Sequence, residues 1–165
     1  MVNYFRNQRK RINKMSAYDK LKQLGIELTK PATPAANYLP IKKSGNNIYI
    51  SGQLSTNSNG LIKGTMGKDI TLKDGQTAAK FCAISIFSQI VHNANIEIDD
   101  IKSFVKLTIL VSSTPEFINH HLVANGASDF IVEILGDKGK HARAAFGVSA
   151  LPLGAAVEIE AIIEV

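Results

Sequence analysis

The sequence predicts an α+β fold, a mixed β-sheet carrying two long helices on one face. Three observations predict it. Two segments, roughly 75–94 and 117–135, place apolar residues at helical spacing. Strand-like runs at 47–54 and 101–112 precede them, and two further runs at 144–150 and 156–165 close the chain. The element order is therefore strand, helix, strand, helix, strand, strand, with right-handed crossovers expected.

Each element has its own signature. Residues 16–24 read as a short amphipathic helix, with Leu21 and Leu24 three apart and Gly25 as its stop. Lys30 to Pro40 contains Pro31, Pro34 and Pro40 and should run extended over the surface. Asn47 to Leu54 reads as a strand, followed by the turn residues Thr56-Asn57-Ser58-Asn59-Gly60. In the first long helix Phe81, Ile84, Phe87 and Val91 form the apolar stripe, widened by Cys82 and Ile90, so Cys82 belongs to the core. Along 101–112, Val105, Leu107, Ile109 and Val111 should share one face, and Phe104, Lys106, Thr108 and Leu110 the other. The second long helix uses Leu122, Phe130, Ile131 and Ile134. Leu151-Pro152-Leu153-Gly154 separates the two closing strands. No third long helix is available for the second sheet face. Its expected cover is another copy of the chain.

The composition is that of an ordinary globular protein, 45% hydrophobic and 20% charged over 165 residues. One cysteine rules out an internal disulfide framework, and with four histidines it cannot build the common structural zinc modules. No apolar run approaches the ~20 residues that span a bilayer, so no membrane partner is expected. The net charge of +5 is unevenly placed. Residues 1–22 carry seven Lys/Arg against one acid, which leaves the remainder at −1. A near-neutral body argues against a nucleic-acid partner. Residues 1–14 are expected to be a solvated basic tail ahead of one domain over 15–165, and Met15 offers an alternative start. The expected compartment is the cytoplasm, although an Arg-rich, acid-poor tail also fits a mitochondrial presequence.

Several site motifs fail on spacing. Gly136-Asp137-Lys138-Gly139-Lys140-His141 lacks the Walker pattern and the following Ser/Thr. His120 and His121 are adjacent, so on a helix they diverge by about 100° and chelate poorly. Tyr49-Ile50-Ser51-Gly52-Gln53 lacks the first glycine of a nucleophile elbow. No cofactor fingerprint is present. Arg143 stands out as the only arginine beyond the basic tail, at a loop-to-strand entry. Its planar fork suits a carboxylate or phosphate, and an internal ion pair with Glu158 or Glu160 is the alternative. Glu158 and Glu160 alternate with Val157, Ile159 and Ala161 on the last strand. If oligomerisation buries their face, at least one must be paired or functional.

Tyr49-Ile50-Ser51-Gly52-Gln53, Ala142-Arg143-Ala144-Ala145, Leu151-Pro152 and Val157-Glu158-Ile159-Glu160-Ala161-Ile162, in that order, resemble the Rid family. It is also called the YjgF or L-PSP family, and its members are reactive enamine/imine deaminases. The similarity covers roughly residues 30–165 and is nearest a longer-chain branch. It implies a chorismate-mutase-like fold, a homotrimer with clefts between subunits, a small carboxylate-bearing substrate and no cofactor. Arg143 matches the arginine that clamps the substrate carboxylate. Glu158 matches the acid that activates the attacking water. Ser51, Tyr38 and Asn125 match pocket-lining positions, and each could instead serve packing or turn hydrogen bonds. Ala145 stands where the deaminases commonly carry a cysteine, which removes thiol chemistry but leaves backbone groups able to bind a carboxylate. The stretches Phe117 to Asn125 and Gly136 to His141 are longer than usual and should reshape the pocket. The implied activity is hydrolysis of 2-imino or 2-enamino acids to 2-keto acids plus ammonia. A trimeric carboxylate-binding module without turnover and an L-PSP-type endoribonuclease are the alternatives.

Overall fold

The computed structural model describes residues 15–31 and 36–165. The expected basic tail at 1–14 lies outside the described residues, as does the middle of the proline-rich run at 32–35. Helix α1 (Ala17–Gln23) opens on a capping box. The Ser16 hydroxyl accepts the Asp19 N–H, and the Asp19 carboxylate accepts the Ser16 N–H.

Strand β1 (Ile41–Ser44) follows, paired with β2 (Asn47–Leu54). The sequence reading had no strand there, because only Ile41 packs inward and the rest is a polar sheet edge. Gly45, at φ +58°, takes the first central position of the two-residue hairpin loop. The next turn signal forms a small hairpin, β3 (Thr56–Asn57) and β4 (Gly60–Leu61). Helix α2 (Leu72–Asn93) begins three residues before the expected start at 75, because a second capping box, Thr71 with Asp74, sets its start.

Strand β5 (Ser103–Ser112) corrects one expectation. A bulge interrupts its register between Phe104 and Lys106, which turns Val105 out to 41% exposure. Phe104, not Val105, joins Leu107, Ile109 and Val111 in the core. Helix α3 (His120–Leu135) starts later than expected, since a turn from Thr114 to Phe117 occupies the preceding residues. Strand β6 (Ala142–Val148) begins two residues earlier than expected, at the point where its ladder with Lys106 begins. Arg143 is therefore the second residue of the strand, at the loop-to-strand entry where it was expected. Strand β7 (Val157–Glu164) closes the chain.

The sheet order is β1-β2-β7-β5-β6, antiparallel throughout except for the parallel β5/β6 pair. Both β2 and β5 run antiparallel to β7 and so parallel to each other. Helix α2 connects them, and α3 connects β5 to β6. This is the expected mixed sheet, with α2 and α3 packed on one face. Phe87 of α2 anchors the core, meeting Phe104 and Phe130 edge-on at 5.7 and 6.0 Å between ring centroids. The two helices touch closely at Gly126, where a Cβ would run into the Gln76 carbonyl of α2. The opposite sheet face carries Tyr49, Thr108, Leu110, Phe146, Glu158, Glu160 and Ile162, and no element among the described residues covers it.

Candidate active site

Arg143 lies opposite Leu107 in the β5/β6 ladder, on the helix side of the edge strand. Its guanidinium reaches α3. Nη1 donates to Asn125 Oδ1 at 2.9 Å and to Ser128 Oγ at 3.0 Å, and Nη2 donates to the His121 carbonyl at 3.3 Å. A guanidinium has five N–H donors. Three are engaged, so Nε–H and one Nη2–H have no partner among the described residues. Arg143 is nonetheless exposed, so those two donors can receive an anion from solvent. Ala145, two residues on, shares this face and packs against the core beside Ile109.

Ser128 has a second partner, His141 Nε2 at 3.0 Å, and His141 Nδ1 bonds the Gly139 carbonyl at 2.6 Å. Burial lowers the His141 pKa, against the Gly139 hydrogen bond that raises it and with the Arg143 charge that lowers it further, so the neutral ring is favoured near pH 7.

Glu158 leaves the sheet on the other face. On β7 it pairs with Leu110 of β5 and with Leu54 of β2. It is half-buried. Burial, then repulsion from Glu160, raises its pKa above the ordinary value. A β-bulge between Ile50 and Gln53 brings the backbone of Gly52 against this carboxyl, where a Cβ would strike Glu158 Oε1. The Gln53 amide donates to the Ser51 carbonyl at 2.9 Å and to the Gly52 carbonyl at 3.3 Å. Ser51 donates its hydroxyl to the Leu39 carbonyl at 2.8 Å, tying down the segment that carries Tyr38. Tyr38 is 55% exposed.

The candidates thus fall into two groups. Arg143, Asn125 and Ala145 lie on the helix side of the edge strand, whereas Glu158 lies on the open face against Gly52, the neighbour of Ser51 at the β2 bulge, and Tyr38 adjoins Leu39, whose carbonyl Ser51 holds. The ion pair of Arg143 with Glu158 or Glu160 does not form; the guanidinium bonds α3 instead. Sequence reasoning passed over Ser128 and His141. The signal was present: Ser128 is one helical turn from Asn125, and His141 precedes Arg143 by two residues, just ahead of the strand. His120 bonds Ser113 Oγ at 3.0 Å and meets Phe117 edge-on. A hollow of about 450 Å³ between α1 and the end of α2, lined by Leu21, Ile26, Leu28, Val91 and His92, shares no residue with either group.

Arg143 thus offers two free donors on one side of the sheet, and Glu158 a partly desolvated carboxyl on the other. The family model described as "YjgF/chorismate mutase-like, putative endoribonuclease" matches residues 18–164. The chain belongs to that family. It is 44% identical over 146 residues to Protein TCP17 of Trypanosoma cruzi, an alignment covering 87% of this chain and 91% of that protein. Among solved structures, a protein of unknown function from Agrobacterium tumefaciens is 43% identical with a TM-score of 0.83, covering 90% of this chain and 92% of the other. A "putative endoribonuclease" from Shewanella oneidensis superposes with a TM-score of 0.86 at 26% identity, over 92% and 100% of the two chains.

Proposed function

We propose that this chain is a Rid-type hydrolytic deaminase, converting small 2-imino and 2-enamino acids to 2-keto acids and ammonia without a cofactor. The observation that supports this best is the state of Arg143. Three of its donors are spent on α3, which holds the guanidinium still, and two remain for a carboxylate. Because Arg143 and Glu158 emerge on opposite sheet faces, the reading places each site between two copies of the chain, in a homotrimer. One copy supplies the clamp and its neighbour supplies the acid.

In such a site the carboxylate docks on Arg143, and the C=N carbon lies within reach of a water held by Glu158. Glu158 takes a proton from that water as its oxygen attacks the carbon, and hands it to the imine nitrogen. The resulting carbinolamine passes its hydroxyl proton, by way of Glu158, to the amino nitrogen; the C–N bond then breaks, releasing ammonia and leaving the ketone. Burial of Glu158 brings its proton affinity closer to what such a shuttle needs at neutral pH.

RNA cleavage is the second reading, favoured by the family description and by the name of the Shewanella structure. Residues 23–165 balance to −1, which gives no basic stripe for tracking phosphates. One experiment separates the readings. A dehydratase generates 2-iminobutanoate in situ, and 2-keto acid release is followed with and without this protein; a parallel sample receives single-stranded RNA. Accelerated release supports the deaminase. No acceleration, with 2-oxobutanoate still bound, leaves a binding module, and RNA breakdown alone leaves the endoribonuclease.

A further inference from the structure

With His141 neutral, the chain Gly139 carbonyl, His141, Ser128, Arg143 has one consistent assignment of donors. A carbonyl can only accept, so the 2.6 Å contact requires a proton on His141 Nδ1. In a neutral ring Nε2 is then an acceptor, so the 3.0 Å contact takes the Ser128 hydroxyl proton. A guanidinium can only donate, so Nη1 must bond a lone pair of that same oxygen, again at 3.0 Å. Three elements converge here: the 3-10 turn Gly136–Gly139, helix α3 and strand β6.

We propose that His141 and Ser128 form a positioning relay, running from the Gly139 carbonyl to Nη1, that aims the free donors of Arg143 at an incoming carboxylate. Neither residue touches the substrate. Arg143 is exposed on an edge strand, where an unanchored arginine would keep most of its rotamer freedom and lose it on binding. With its orientation fixed beforehand, the fork does not have to be ordered by each ligand. Asn125 Oδ1 and the His121 carbonyl hold other hydrogens of the same guanidinium, but only the Ser128 bond extends to a buried backbone anchor, since Gly139 is buried. Gly139 is also confined, as a Cβ there would press on the Ile131 carbonyl of α3 at 2.7 Å. The root of the relay is thus locked against the helix that carries its middle. The functional consequence rests on Arg143 being the carboxylate clamp, whereas the relay itself stands on the hydrogen bonds.

The test uses the full chain and 2-oxobutanoate as probe. Long-range proton–nitrogen spectra of labelled protein should show His141 as the Nδ1–H tautomer at neutral pH. Ser128→Ala should weaken 2-oxobutanoate binding and raise KM by roughly five- to twentyfold. The same variant should leave kcat within about twofold, because the lost contact orients ground state and transition state alike. Ser128→Thr, which keeps the hydroxyl, should restore most of the affinity. Nitrogen relaxation at Arg143 Nε should report faster motion in Ser128→Ala than in wild type. An Nε2–H tautomer for His141 overturns the relay. So does a Ser128→Ala protein with wild-type affinity and an equally rigid Arg143. If wild type binds no 2-keto acid, the clamp reading fails, and the tautomer and the Arg143 relaxation alone decide the relay.

Discussion

Arg143→Lys preserves the charge while removing the fork, and with it the contacts to Asn125, Ser128 and the His121 carbonyl. An ammonium cannot offer two parallel donors while also holding three acceptors on α3. The loss corresponds to roughly 2–3 kcal/mol, or about 30- to 150-fold in kcat/KM. Glu158→Gln should behave differently. It keeps the side-chain shape and a contact to water but cannot accept a proton, so 2-keto acid binding should survive while turnover falls roughly 100-fold. The pH dependence has a defined sign. The working form of Glu158 is the carboxylate, and burial raises its pKa, so activity should climb with pH through a value above the ordinary carboxylate range. That acid limb should vanish in Glu158→Gln. A Glu158→Gln enzyme with wild-type turnover and an unchanged pH profile would reduce Glu158 to a surface acid and leave only the anion site.

The elements that hold these side chains depend on one close approach. Alanine is the better helix former by about 1 kcal/mol, so Gly126→Ala would stabilise an isolated α3. In the folded chain its Cβ meets the backbone carbonyl of Gln76, which cannot rotate away, and α3 must shift off α2. The net outcome should be destabilisation by roughly 1–3 kcal/mol, read by denaturant melts, with Asn125 and Ser128 carried out of register with Arg143. A neutral or stabilised Gly126→Ala protein would show that the helix contact is softer than its geometry indicates. Packing of this kind also explains what the sequence could and could not reveal. Both long helices and strands β2, β5 and β7 were legible, because Phe87, Phe130, Leu107 and Ile159 repeat at the period of their element. Strand β1 was not, since a polar edge needs only one inward residue. Val105 was assigned to the wrong face because the bulge that reverses the alternation is set by pairing with β7, and no residue of β5 announces it. The facing of Arg143 was hidden for a similar reason. Strand β6 is rich in alanine and has no clear alternation, so only its register against Leu107 decides that the guanidinium turns toward α3. The sequence singles out Arg143, Glu158, Ser51, Tyr38 and Asn125 by residue type and motif, but their division between two faces belongs to tertiary structure.

At the scale of the whole molecule that division becomes a statement about assembly. One face of the sheet carries α2 and α3, and the other leaves Tyr49 at 43% and Phe146 at 45% exposure beside Leu110, Ile162 and two acids. A patch of this kind on a single chain invites a partner, and closed rings of identical chains are the usual answer. The expectation is a trimer that buries Thr108 and Leu110, and a monodisperse monomer at micromolar concentration in light scattering would remove the walls of the site. A ring whose sites each take Arg143 from one chain and Glu158 from the next makes a sharper prediction. Arg143→Lys and Glu158→Gln proteins are each nearly inactive, yet each retains the half that the other lacks. Co-refolded in equal amounts with random assembly, half of the sites draw an intact arginine. Half of those draw an intact glutamate from the neighbour, so activity should return to about a quarter of wild type. Were both residues to act within one chain, every site in the mixture would still contain one defect, and mixing would recover nothing beyond the residual activity of the two variants. The recovered fraction therefore tests, in one measurement, the assembly, the facing of both side chains and their joint role in a single site.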